Sequence, residues 1–162
     1  MDAQVFRDFT KNYPIITRGK GVFLYDQAGR EYLDAVGGIS VVNVGHGVPE
    51  VVAAMREQAD KVAFVHGGSF ANEAAMALCE ELATWAPKGM GHILLLSGGS
   101  EATETAMKLA HQYHLERGKA GKYRIVSRWI SYHGNTIGAL SMSGRTAWRR
   151  EFTPYLQNFP KI

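Results

Sequence analysis

An α/β fold is predicted by three features of the sequence. The apolar run Leu94–Leu96 leads directly into Ser97-Gly98-Gly99-Ser100, and a strongly helical stretch follows at once. After a stop at "RGKAGK", a second β-prone run, "YRIVSR", completes a strand, helix, strand unit. Near the start, "GVFLYD" and "EYLDAV" form a pair of shorter β-prone runs. The expected architecture is a small β-unit followed by the first part of a mainly parallel sheet with covering helices, incomplete in this chain.

The elements follow in order. "GVFLYD" and "EYLDAV" are joined by "QAGR", whose Gly29 suits a tight turn, and read as a hairpin. Pro49 stands at a first helical position, and Val51, Val52, Met55, Ala59 and Val62 recur at three- and four-residue intervals, which predicts an amphipathic helix. "HGGSF" breaks that pattern, and a second helix spans roughly 71–86 before Pro87 and Gly89 stop it. The third helix runs from Ser100 to about Arg117, with Ala102, Ala106, Leu109, Ala110 and Tyr113 on its core face and Glu104 paired with Lys108 on the other. Leu94–Leu96 has the uninterrupted apolarity of a strand buried on both faces of a parallel sheet. Residues 1–48 form an N-terminal segment with the hairpin, and residues 49–162 form the start of the larger domain.

Composition bounds the function. A chain of 162 residues with 46% hydrophobic and 20% charged residues is a globular protein with one ordinary core, not a disordered or fibrous one. No apolar run approaches the roughly 20 residues of a membrane helix. The start "MDAQVFRDFTKNYP" is too polar and acidic for a signal or transit peptide. The cytoplasm is the expected compartment, with no membrane partner. Cys79 lies among Ala75, Leu78 and Leu82 at helical spacing and reads as a small buried hydrophobe rather than a catalytic thiol.

Charge is uneven: residues 1–107 sum to −5 and residues 108–162 to +8. The basic residues are spread over several elements, with no single basic helix face and no RNA-binding aromatic motif, so nucleic acid is not an expected partner.

In open α/β sheets ligands collect beyond the carboxyl ends of the strands, where a helix N-terminus offers unpaired N–H groups and positive dipole charge. Gly98 and Gly99 let the backbone approach an anion closely, and Ser100 adds an amide and a hydroxyl at or near the N-cap. On these residues alone two readings stand: a phosphate cup, or a serine-capped turn with no ligand. The spacing lacks the Lys-Ser/Thr of a P-loop and the third glycine of a dinucleotide fingerprint. The second strand delivers Tyr132 and His133 to the same side of the sheet, where Tyr132 is either a stacking ring beside the phosphate or an ordinary amphipathic residue.

"SGGSEATETAMKLA" followed by "SYHGNTIGALSMSG", and preceded by "LDAVGGISVVNVGHGVPEVVAAM", resembles the first part of the class III, omega-type aminotransferases. These are pyridoxal phosphate enzymes of fold type I. The resemblance implies that Gly99 and Ser100 bind the phosphate of pyridoxal 5'-phosphate, with Gly98 completing the turn, Tyr132 stacking on the pyridine ring and His133 shaping the pocket. It also implies an amino donor and a 2-oxo acid as substrates, a homodimer when full length, and a substrate pocket lined by N-terminal loops, in which Ser40 and Phe70 are the candidates. None of the eight lysines matches the family's Schiff-base lysine, which lies downstream of these motifs together with the pyridinium aspartate. The expectation is therefore the N-terminal portion of an aminotransferase, with no catalytic residue assigned; the alternative is a non-catalytic α/β module that keeps the phosphate cup.

Other clusters are weaker. Glu101 and Glu104 lie in the first turns of a helix, where carboxylates are favoured by the dipole. His111 and His114 are three apart, but no further ligand accompanies them, and no metal is expected. His46 and His66 sit in glycine-rich loops, where either backbone bonding or substrate contact fits.

Overall fold

The computed structural model describes residues 4–5 and 8–162. Residues 1–3 and 6–7, within the stretch read above as unlike a leader, lie outside the described residues. The chain divides into two compact units, Met1–Ala71 and Asn72–Ile162.

The first unit is built on a three-stranded antiparallel sheet in the order β1-β2-β3: β1 (Ile16–Lys20), β2 (Phe23–Asp26) and β3 (Glu31–Leu33). The predicted hairpin is β2–β3, and its turn is over-determined by Asp26. One carboxylate oxygen of Asp26 accepts from the amides of Ala28 and Arg30, both at 2.9 Å, and the other accepts from the Tyr32 hydroxyl at 2.8 Å. Gly29 takes φ +80° there, as a tight turn requires. β1 was not expected. Its sequence "ITRGK" has no apolar alternation, and it forms because β2 offers an edge; the ladder shifts register between Ile16 and Arg18.

After β3 the chain makes a single turn, α1 (Gly37–Ser40), whose residues have φ of 52°, 59°, 62° and 63°. This turn is left-handed. Glycines enter that region freely, but Ile39 and Ser40 each bear a cost of about 1–2 kcal/mol. Helix α2 (Pro49–Lys61) opens on its proline as expected. Its predicted core stripe is uncovered, with Val51, Met55 and Val62 all exposed on a shallow apolar groove.

The second unit begins with α3 (Glu73–Trp85), capped by Asn72, whose side-chain oxygen accepts from the Ala75 amide at 3.1 Å. Cys79 is half-buried there, and its thiol donates to the Ile93 carbonyl at 3.8 Å. Helix α4 (Gly99–Glu116) agrees with prediction in its bounds but not in its facing. Leu109 and Tyr113, from the expected core stripe, are exposed. The half-buried face is instead Ser100, Thr103, Glu104, Met107, His111 and His114, again at helical spacing. Glu104 thus points inward and does not pair with Lys108: it accepts from the Thr136 hydroxyl at 2.6 Å and the Ala139 amide at 3.2 Å.

That carboxylate anchors the N-terminus of α5 (Ile137–Met142), a helix absent from the sequence reading. Among the described residues the most buried apolar side chains are Ala139, Leu140 and Met142 of α5, with Phe159. Its C-terminal carbonyls are closed by one guanidinium. Arg149, at the end of α6 (Thr146–Arg149), donates through Nη1 to the carbonyls of Leu140, Ser141 and Ser143 at 2.6, 3.0 and 2.7 Å. A 3-10 helix, Arg150–Tyr155, follows.

The two β-prone runs of this unit do not pair with each other. Residues 92–97 join no ladder among the described residues, and Leu94, Leu95 and Leu96 are exposed rather than buried on two faces. In the second run Ser127 makes one parallel bridge, to Lys161. Large apolar side chains of α2, α4 and the Leu94–Leu96 run are exposed. The class is α/β, with a small antiparallel sheet followed by helices.

Candidate functional site

The candidate site is the N-terminal end of α4. Gly98 is its N-cap in extended conformation, no side chain caps the helix, and the first-turn N–H groups face outward from the end of the helix. A Cβ on Gly98 would lie 2.8 Å from Glu101 Oε2, so that position is closed to larger residues unless Glu101 moves. A Cβ on Gly99 would meet nothing within 4 Å, and Gly99 also lines a cavity at this end of the helix.

That cavity measures about 380 Å³ and is lined by Gly99, Ser100, Thr103, Tyr132, His133 and Gly134. Four of the five residues singled out for the cofactor therefore share one cup, and the fifth, Gly98, forms the cap at its edge. Ser100 is the second helical residue rather than the N-cap. Its Oγ accepts from the Asn135 amide at 2.8 Å, which leaves the hydroxyl hydrogen to donate elsewhere.

The facing wall is held at three further points, one of them on α4. Thr103 donates through its hydroxyl to the His133 carbonyl at 2.9 Å. The His133 amide donates to Ser143 Oγ at 3.0 Å, and the ring nitrogen Nε2 lies 3.0 Å from the Arg128 carbonyl, which accepts from it and so fixes the Nε2–H tautomer. Gly134 is buried at φ +138°, and a Cβ there would come within 2.7 Å of Ser100 Oγ and 2.8 Å of Ala139 Cβ. Only a glycine permits this approach of the loop to the helix. Tyr132 is 54% exposed, with its ring edge-on to Trp148 at a centroid distance of 5.5 Å. The Tyr132 ring therefore lines the cup while packing perpendicular to Trp148.

Thr103 and Gly134 complete the cup, Asn135 ties its loop to Ser100, and Glu104 anchors α5 beside it. Sequence reasoning did not assign roles to Thr103 and Asn135, and it set Glu104 aside as a surface ion-pair partner. The usable signal was the polar stripe Ser100, Thr103, Glu104 at helical spacing, which reads on sequence as ordinary first-turn composition.

Cations of the basic segment rest on aromatic rings. Arg149 and Lys161 lie 4.6 and 3.8 Å from the Trp129 ring centroid, and Arg145 lies 4.8 Å from that of Trp148. Among the described residues the ion pair recorded for this segment is Arg150–Glu151, at 2.8 Å on the surface. His111 and His114 turn inward, each with a buried Nδ1 that has no partner among the described residues. Burial, then the nearby cations Lys122, Lys119 and Arg117, hold His114 below the usual histidine range. Among the described residues no group of three or more His, Cys, Asp or Glu is placed to hold a metal ion.

The residues expected at a substrate pocket lie in the first unit. Ser40 closes the left-handed turn α1 and is exposed. Phe70 is 68% exposed, and its amide donates to the His66 carbonyl at 3.0 Å. His46 has a well-defined structural partner. Its Nε2 lies 2.8 Å from Asp34 Oδ2, with the Asp34 side chain only 7% exposed. The His46 hydrogen bond, then that from the Gly38 amide, holds the Asp34 carboxyl below the usual aspartate range.

A family model described as aminotransferase class-III matches residues 7–162. The chain is 41% identical over 155 residues to a Bacillus subtilis protein named uncharacterized aminotransferase YodT, covering 96% of this chain and 35% of that protein. It is 37% identical over 145 residues to the acetylornithine aminotransferase of Aquifex aeolicus, covering 88% of this chain and 37% of the relative. Among solved structures, an (S)-enantioselective omega-transaminase from Thermomicrobium roseum superimposes with a TM-score of 0.89 at 36% identity, covering 94% of this chain and 34% of that one. The adenosylmethionine-8-amino-7-oxononanoate aminotransferase of Methanocaldococcus jannaschii gives 0.89 at 32% identity, over 97% of this chain and 37% of its own. The chain spans about a third of the length of these relatives, and its fold matches their N-terminal part.

Proposed function

The chain belongs to the class III aminotransferase family, and on that premise we propose that it serves pyridoxal 5'-phosphate-dependent transfer of an amino group between an amine or amino acid and a 2-oxo acid. The observation that carries this reading is the uncapped N-terminus of α4 opening into a cup walled by Tyr132 and His133.

The residues present fit the phosphate and ring of the cofactor. Unpaired amides at the first turn of α4, the open space at Gly99 and the free hydroxyl hydrogen of Ser100 suit a phosphate. Tyr132 offers a ring face for stacking, and His133 holds the wall through its backbone and its bond to Arg128. Bound pyridoxal phosphate supplies an electron sink for the carbon that loses or gains the amino group. The groups named here bind and orient it. No lysine lines the cup, so this segment accounts for binding and not for proton transfer.

Residues 1–48 then belong to a small domain and residues 49–162 to the first part of the cofactor-binding domain, with Ser40 and Phe70 toward substrate. A cytoplasmic homodimer fits the uncovered apolar faces of α2 and α4, and no helix among the described residues is long and apolar enough to cross a membrane. The alternative reading is a non-catalytic module that retains the cup. Supplying the protein, expressed from its full reading frame, with pyridoxal phosphate, an amine donor and a 2-oxo acid separates the two. Amino transfer supports the first reading; cofactor binding without transfer, over a panel of donors, supports the second.

A further inference from the structure

The left-handed turn Gly37–Ser40 is exposed, with Ile39 at 80% and Val41 at 80%, so packing does not hold it. Hydrogen bonds do. The Gly37 amide donates to the Asp34 carbonyl at 3.2 Å, and the Gly38 amide donates to the Asp34 carboxylate, 3.0 Å from Oδ2 and 3.2 Å from Oδ1. Asp34 is in turn fixed by His46 Nε2 at 2.8 Å.

His46 is itself locked to the turn between β1 and β2. Its amide and carbonyl exchange bonds with Gly21 at 2.8 and 2.9 Å. Its side chain lies against Gly19, where an added Cβ would stand 2.7 Å from His46 Cβ. A rigid path therefore runs from the sheet through His46 and Asp34 to the turn. A β-branched residue such as Ile39 at φ 62° persists only where its surroundings over-determine the backbone, and such strain gathers at functional segments.

We propose that Asp34 and His46 are positioning residues that hold Gly37–Ser40 left-handed and thereby set Ser40 for the amino donor, an inference that rests on reading this loop as part of the substrate pocket. Neither side chain touches substrate in this scheme. Ile39 supplies the strain, and the Asp34–His46 contact keeps it from relaxing.

The test uses the protein from its full reading frame, loaded with pyridoxal phosphate, and reads both amide exchange over residues 36–42 and steady-state kinetics. His46→Ala should raise exchange in that segment and raise KM for the amino donor severalfold, with kcat and cofactor affinity little changed. His46→Gln, whose amide nitrogen can replace Nε2, should restore both. Adding Ile39→Gly to His46→Ala should also recover KM, because glycine adopts the turn without strain. Should His46→Ala not fold, Asp34→Asn carries the same comparison. Unchanged exchange in these variants overturns the proposal. So does faster exchange with unaltered KM when Ser40→Ala does raise KM. If Ser40→Ala is equally silent, the substrate-loop reading has failed, and the inference falls with it.

Discussion

The Asn135 amide donates to Ser100 Oγ across 2.8 Å, joining the loop after Tyr132 to the first turn of α4. The two residues are far apart in sequence, and the contact exists because Gly134 lets the loop descend onto the helix. The cup is thus a tertiary construction, not a property of the glycine turn alone.

Gly134→Ala tests that construction. The added methyl would lie 2.7 Å from Ser100 Oγ at a φ of +138°, so both clash and backbone strain oppose it. A loss of about 1–3 kcal/mol in denaturant unfolding is expected. Wild-type stability in this variant would show that the loop does not seat on the helix.

Glu104 and Lys108 are predicted to part company. Glu104→Ala leaves the Thr136 hydroxyl and the Ala139 amide without their acceptor, at a cost of about 1–3 kcal/mol. Lys108→Ala, on the exposed face, should change stability by less than about 0.5 kcal/mol. Equal and coupled effects in a double-mutant cycle would restore the surface ion pair that helical spacing suggests.

This pair also shows what sequence could and could not reveal. Helices α2, α3 and α4 were legible because Pro49, the Pro87 and Gly89 stop and the Ser-Gly-Gly-Ser turn mark their ends locally, and the proposed cup residues were picked out from the same local marks. The orientation of α4 was not. Its Ala102, Leu109 and Tyr113 stripe suggests a core face, yet the described partners lie against Thr103, Glu104 and Met107. Helix α5 is short and contains Gly138, and it owes its start to a carboxylate on another helix. β1 lacks alternation and forms on the edge that β2 presents. Nothing in the spacing of Asp34 and His46 indicates that a turn between them would be left-handed.

Acid should weaken the Asp34 clasp in a defined window. Because the folded-state carboxyl is held below its ordinary value by His46 and Gly38, its stabilisation is complete above the unfolded value of about 3.9 and is lost as pH falls through the lower folded value. The stability gap between wild type and Asp34→Asn should close as pH falls below about 4. A carboxyl carbon resonance titrating at or above the ordinary aspartate value would contradict the assignment.

Tyr132 is expected to act through its ring. Tyr132→Phe should retain cofactor affinity, whereas Tyr132→Ala should lose on the order of 1 kcal/mol or more. Equal affinities, measured by cofactor absorbance, would remove the ring from the site.

The most direct test concerns Gly99, where a side chain would project into open space rather than into protein. Pyridoxal phosphate is titrated into the protein from its full reading frame and into Gly99→Val, and each is also melted without cofactor. A side chain at Gly99 should block the cup while sparing the fold, so affinity should fall at least tenfold with the cofactor-free melting temperature little changed. Equal affinity in the two proteins would contradict the assignment of the α4 N-terminus as the phosphate site.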